Sequence, residues 1–341
     1  MRYPKPLQAG DVIAVTSPSS GVQSAHEARL NHCIEGLRRL GYEVVVGACM
    51  SGTGPTSAPA AERAAELMSF LTDPLVRAVV PPWGGELAID LLPLLDFEAI
   101  RAADPPWLVG YSDLTTLMFP LTLRTGVATL HGGNLMDTPY AVPTPLLHWL
   151  DAATAPVGGS LTQGSASAYQ GGGHPDFGAH PDVGSYALDT PAAWRPLDES
   201  VCSVSATGRL IGGCLETVAM LPGTRYGDLA GFARAYAPEG LIVYLEVAES
   251  EAFVAARMFH HLVLAGWFDA ANAVLIGRSG GGSSGSFTQL DAVRHALGGL
   301  GVPVLHDLDL GHVPPQLALV NGALATVELT GSTGRLVQHL V

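Results

Sequence analysis

With 341 residues the chain is too long for a typical single core, so two domains are expected. Hydrophobic residues make up 48%, yet no run approaches the roughly 20 apolar residues a membrane helix requires, so the apolar content belongs to buried strands and helices. Seventeen Lys and Arg against 31 Asp and Glu leave a formal charge of −14 without a long acidic run, which makes nucleic acid and anionic membranes poor partners.

The opening MRYPKPLQAGDVIAV sets a Pro and a Gly-Asp ahead of a short apolar run and does not have the pattern of a signal peptide. Strand and helix patterns then alternate. Residues 11–16, DVIAVT, form a buried strand ended by SPSSG, and Leu30, Ile34, Leu37 and Leu40 keep helical spacing until Gly41. EVVVG, AAERAAELMSFLTD and VRAVVPP continue as strand, helix and strand, and a helix follows Gly85. PPWLVGYSDLTTL then sets Trp107-Leu108-Val109 ahead of Tyr111-Ser112-Asp113, after which Leu114, Leu117, Met118 and Leu121 mark a core-facing helical stripe. Such β-α repeats over residues 1–152 imply a parallel sheet covered on both faces, with ligands at the carboxyl ends of its strands.

Residues 153–204 break the pattern. They are rich in Gly, Ser, Ala and Pro and read either as an inter-domain linker or as a loop over a site, presenting Tyr169, His174, Phe177, His180 and Trp194. From 205 to 341 a second, smaller α/β domain follows. GRLIGGCLETVAML reads as a strand, a Gly-Gly turn and a helix start, GLIVYLEVAE as a strand ending in acids, FVAARMFHHLVLAG as a helix, and LVNGALATVEL as the closing strand segment. The cleft between the two domains is the default site. GRSGGGSSGS lacks the Gly-Lys-Ser/Thr of a phosphate loop and reads as a flexible connection. Cys33, Cys49, Cys202 and Cys214 have neither CxxC nor paired spacing and fit reduced thiols of a cytoplasmic protein. None of the 12 histidines forms HExxH, and neither a metal nor a cofactor is expected.

Ser112 has two readings. It is an N-cap whose hydroxyl accepts from a free N–H of the first turn, or a nucleophile on a tight strand-to-helix corner with Gly110 allowing the crowding. A nucleophile needs a base and an acid to orient it. Glu246, at the end of LIVYLE, is the best acid, and His312, held by Pro314 and Pro315 in LDLGHVPPQL, the best base; a solvated strand end and a structural histidine are their bland alternatives. Gly84-Gly85, between a strand and a helix, and Asp113 can offer backbone N–H groups to an oxyanion, or Gly84-Gly85 is simply a β-to-α turn. An α/β-hydrolase esterase shares the order Ser, acid, His, but its G-x-S-x-G elbow would place a glycine where this chain has Leu114. A non-catalytic two-domain ligand-binding protein, with Ser112 only a cap, is the rival outside enzymes.

Several segments in order resemble the serine LD-carboxypeptidase family, which includes the microcin C immunity carboxypeptidases: LQAGDVIAVTSPSS, WGGELAIDLLPLLDF, GYSDLTTL, GRLIGGCLETVAMLPGT, YLEVAE and LGHVPPQLALVNGALATVEL. The resemblance implies a flavodoxin-like N-terminal domain bearing the nucleophile Ser112 and a C-terminal α/β domain bearing Glu246 and His312. It also implies an oxyanion hole at Gly85 and Asp113, an active site at the domain interface and a homodimer. Murein-recycling members carry R-G-G-Y-G where this chain has Trp83-Gly84-Gly85-Glu86-Leu87, which points away from a murein tetrapeptide and toward a peptidyl or aminoacyl-nucleotide substrate. Trp83, Glu86, His131 and Trp194 are the candidate substrate contacts, Trp194 as the loop aromatic that stacks on the nucleotide.

Overall fold

The computed structural model describes every residue except Thr53 and His174. The N-terminal half lays down five parallel strands: β1 (Val12–Val15), β2 (Glu43–Val46), β3 (Val76–Val79), β4 (Trp107–Gly110) and β5 (Thr129–His131). They pair in the order β2-β1-β3-β4-β5, the flavodoxin-like arrangement. Central strands such as β4 are buried throughout, as apolar runs covered on both faces must be. The helices α1 (Glu27–Arg39), α2 (Ala60–Thr72), α3 (Phe97–Ala102) and α4 (Thr115–Thr125) make the connections. On α1 the residues Cys33, Ile34 and Leu37 turn inward at steps of one and three, which is one face of a helix. After Gly85 the chain forms the 3-10 helix Ala88–Leu94, with Pro93 inside it and unable to donate to an α-helical ladder. Strand order reverses between β1 and β3, and the loops SPSSG and PPWGG open there.

The strands that follow are β6 (Ser160–Gly164), β7 (Ala168–Tyr169), β8 (Thr190–Pro191), β9 (Arg195–Pro196), β10 (Ser203–Cys214), β11 (Leu241–Glu246), β12 (Ala271–Gly277), β13 (Val304–Leu308), β14 (Leu319–Asn321), β15 (Leu324–Thr330) and β16 (Thr333–His339). Eight of them form a mixed sheet, β6-β16-β15-β10-β11-β12-β13-β9, whose centre from β10 to β13 is parallel. The stretch 153–204 is therefore no tether. It supplies both edge strands, β6 and β9, and the pair β7-β8, so the sheet of the domain expected to be smaller is the larger of the two. LVNGALATVEL is divided between the sheets: β14 pairs antiparallel with β5, and beyond Gly322 (φ 89°) the chain enters the second sheet as β15.

Gly212 and Gly213 lie inside β10 rather than in a turn. A Cβ on Gly212 would stand 1.7 Å from the Tyr244 carbonyl oxygen, and one on Gly213 would stand 2.0 Å from Thr115 Cγ2. Their missing side chains let β11 and the start of α4 close onto β10. Covered by its own sheet on one side and by the second domain on the other, α4 buries every residue except Arg124. Phe119 of α4 stacks on Trp267 at 4.9 Å across this junction. Each large apolar side chain so buried contributes about 1.5–3 kcal/mol, which makes the domain contact an extension of the core. Among the described residues no helix is long and apolar enough to cross a membrane.

Candidate active site

Ser112 follows β4 with a φ of 64°, a left-handed conformation that costs a non-glycine residue about 1–2 kcal/mol. The strain is enforced by crowding. Gly110, at φ 152°, lies so close to Leu114 that a Cβ there would stand 2.4 Å from Leu114 Cδ1, and the Tyr111 N–H donates to Asn134 Oδ1 at 3.2 Å. The corner turns the hydroxyl out of the sheet: Ser112 is the first residue of the 3-10 helix Ser112–Leu114, whose N-cap position is Tyr111, and its Oγ meets His312.

The partners come from the second sheet. His312 Nε2 stands 3.0 Å from Ser112 Oγ, and its Nδ1 stands 2.8 Å from Glu246 Oε2. Glu246 ends β11 and is fully buried, opposite Cys214 in the register of β10. A Cβ on Gly311 (φ 86°) would come within 2.3 Å of Glu246 Oε2, so only glycine lets the histidine loop lie on the carboxylate. Asp309 holds that loop from below, accepting from Arg278 Nη2 at 2.6 Å and Trp194 Nε1 at 2.8 Å. Arg278, in the glycine-rich stretch expected to be a flexible connection, is thus a buried anchor. Burial alone would depress the His312 pKa; the charge and hydrogen bond of Glu246 outweigh it and raise the pKa above its usual 6.5.

The Gly84-Gly85 turn faces the serine. A Cβ on Gly84 would stand 3.0 Å from both Asp113 N and Ser112 Oγ, so the space over that glycine borders the serine hydroxyl and a backbone donor at once. The Asp113 side chain ties the turn down: its Oδ2 accepts from Ser19 Oγ at 2.5 Å and from Ala88 N at 2.8 Å. Ser19 Oγ also accepts from Leu87 N at 3.3 Å, and Ser20 N donates to Gly84 O at 3.2 Å. SPSSG, which passes for an ordinary turn in the sequence, is the strap between the two loops. Its place after β1 at the reversal of strand order is the signal that marks it.

Ser112, Asp113, Gly85, Glu86 and His312 border one cleft of about 320 Å³, with Cys214 and Glu216 from the second domain on its far wall. The other expected contacts lie elsewhere. Trp194 is fully buried, packed where a Cβ on Gly334 would stand 1.9 Å from its ring, and bonded to Asp309; it has no face to offer a nucleotide. His131 is also fully buried, edge-on to Tyr111 and Tyr244, with its pKa pushed by burial down to about 4, so it lies beneath the site rather than in it. Trp83 donates to Ser20 O at 3.1 Å and borders a neighbouring cavity of about 330 Å³ with Tyr111, His26 and Phe177. The loop that carries Phe177 is fastened by buried Arg29, which donates to Pro181 O and Val183 O and lies 4.6 Å over the Phe177 ring. Tyr169 lies under Arg278, His180 is exposed, and His174 lies outside the described residues.

A serine, a histidine and a buried glutamate aligned in a cleft between two α/β domains have the layout of a serine hydrolase. The family models described as the LD-carboxypeptidase N-terminal and C-terminal domains match residues 13–132 and 207–327. The chain belongs to this family and is a serine peptidase of the carboxypeptidase kind. It is 29% identical over 98% of its length to a Vibrio cholerae protein provisionally named a carboxypeptidase, of which the match covers 98%. The Escherichia coli microcin C7 self-immunity protein MccF is 26% identical over 95% of this chain and 92% of its own. A structure of MccF in complex with glutamyl sulfamoyl guanosine shares the fold with a TM-score of 0.78 at 22% identity, covering 98% of each chain.

Proposed function

We propose that the protein hydrolyses an amide bond through a Ser112-His312-Glu246 triad and an acyl-enzyme, on a peptidyl or aminoacyl-nucleotide substrate of the kind met in microcin C immunity. The observation that carries the reading is the unbroken line Ser112 Oγ, His312, Glu246 at 3.0 and 2.8 Å, opening into the interdomain cleft. His312 Nε2 takes the serine proton as Oγ attacks the carbonyl carbon. The oxyanion is then held by the N–H groups of Gly85 and Asp113; Asp113 N lies 3.0 Å from where a Cβ on Gly84 would stand, beside the serine. Nε2 returns the proton to the departing amine, and water, activated by the same nitrogen, releases the acyl group.

The microcin self-immunity protein among its relatives and the ligand of the structural neighbour support the nucleotide side of this reading. Trp83 and Phe177, which border the same cavity as Tyr111, are the aromatic side chains this reading offers to the planar part of such a substrate. The enzyme is expected to work in the cytoplasm as a homodimer, which sedimentation at micromolar concentration would show. Mass-spectrometric hydrolysis of a panel tests the reading, using aminoacyl sulfamoyl adenosines and a murein tetrapeptide ending in D-alanine, with wild type and Ser112→Ala. Cleavage of the adenosines by wild type alone is expected. Cleavage of only the tetrapeptide would assign the protein to wall recycling, and turnover by Ser112→Ala would remove the serine from the mechanism.

A further inference from the structure

Apart from His312, the described residues give the cleft beside Ser112 negative charge without a counter-charge. Glu86, Glu216 and Glu249 border it, and among the described residues no Lys or Arg does. The cleft is a ligand site on separate grounds, since the serine and histidine open into it.

The most firmly placed of these acids is Glu216, in the short helix Leu215–Val218 that follows β10. Its Oε1 accepts the N–H groups of Ala248, Glu249 and Ser250 at 3.0–3.1 Å. Burial alone would raise its pKa; these donors outweigh burial and lower it, so the carboxylate is ionised at neutral pH. Its Oε2 accepts from Ala248 N at 3.2 Å and from the Cys214 thiol at 3.3 Å, so the carboxylate is held as a fixed charge at the edge of the cleft. Glu86 stands on the opposite wall, exposed and without an ion pair among the described residues. Its pKa is raised, first by partial burial and then by Glu249, Asp113 and Glu216, which is the mark of like charges facing one another across a gap.

We propose that Glu216, with Glu86 opposite, selects a substrate whose acyl residue carries an ammonium or guanidinium group on its side chain. The proposal rests on the serine-hydrolase reading and makes its substrate class more specific. A cation in the gap relieves the repulsion between the two walls, and a narrow acidic cleft concentrates such a group at the nucleophile. An acidic acyl group, such as the glutamyl group carried by the structural neighbour's ligand, would meet like charge on both walls in this chain.

The test compares the rates at which two fluorophosphonates of equal length, one ending in an ammonium and one in a carboxylate, label Ser112. Labelling about tenfold faster with the cationic probe is expected at low salt, falling toward parity as salt is added. Glu86→Gln, on an exposed position that leaves the core untouched, should shrink the preference severalfold, and Glu216→Gln should shrink it further. Equal rates, or faster labelling by the anionic probe, would overturn the proposal and leave the nucleophile in place. No labelling by either probe would overturn the serine reading and the proposal with it. Lysyl and glutamyl sulfamoyl adenosine, and tetrapeptides with lysine or glutamate before the terminal D-alanine, then tell a nucleotide source of the cation from a peptide one. In whichever pair is cleaved the lysyl member should be faster, and a faster glutamyl member would refute the charge selection.

Discussion

The two halves of the site are held in place by different means. Ser112 belongs to a local device: within a few residues of β4, strained backbone, a close-packed Gly110 and the carboxylate of Asp113 aim one hydroxyl. Glu246 and His312 belong to a distributed one, in which a regular strand end and a glycine-borne loop are brought together only when the second sheet is complete. The contrast teaches that the Ser112 half is built by strain and the Glu246–His312 half by burial, and that each should fail in its own way.

The largest effect should come from Ser112→Ala, which removes the proposed nucleophile: turnover falls by about 10⁴-fold or more, while the melting temperature moves by no more than about 2 °C because no core contact is lost. Glu246→Gln keeps the shape of the base half and removes its charge. A loss of about 10³-fold in kcat is expected. The pH profile carries the sign. With the His312 pKa raised above 6.5, wild-type kcat/KM should fall as pH drops through a value higher than that of an ordinary histidine, and the variant's acid limb should move to lower pH. Gly311→Ala pushes a Cβ against Glu246 Oε2 at a φ of 86°, and a displacement of this order at the base costs about 10²-fold in kcat by steady-state kinetics. Ser19→Ala takes one donor from Asp113 and the acceptor from Leu87 N–H; a loss of about tenfold in kcat with little change in KM would show that the strap positions the oxyanion turn. Trp194→Phe should leave KM unchanged and lower denaturant stability by about 1–3 kcal/mol, since its indole serves Asp309 and the core.

Most of the first domain was legible because its strands and helices follow one another in sequence and each shows its own period, and the G-Y-S-D corner marked Ser112. The burial of α4 on all sides was not, because the stripe Leu114, Leu117, Met118, Leu121 records only the face turned to its own sheet, and the second domain covers the other. The edge strands β6 and β9 escaped notice because one is short and polar in alternation and the other has two residues; what makes them strands is pairing with β16 and β13 far along the chain. Trp194, named through the family resemblance, and His131 are both fully buried, and an aromatic or a histidine in the sequence carries no sign of whether it faces the cleft or the core. Glu216 and Ser19 gave no local signal, since their value lies in whose backbone they touch.

The placement of β14 also bears on how the molecule is made. Asn321 Nδ2 donates to Thr129 Oγ1 across 192 positions of chain, and among the described residues β14 is the strand that caps the outer edge of β5. A chain emerging from the ribosome therefore carries the sheet of Ser112 with an open edge until residues 319–321 have been added, and an open edge is a template for pairing with other chains. The enzyme becomes complete late and all at once, so a product arrested before β14 would be a candidate for aggregation or proteolysis instead of a half-active hydrolase.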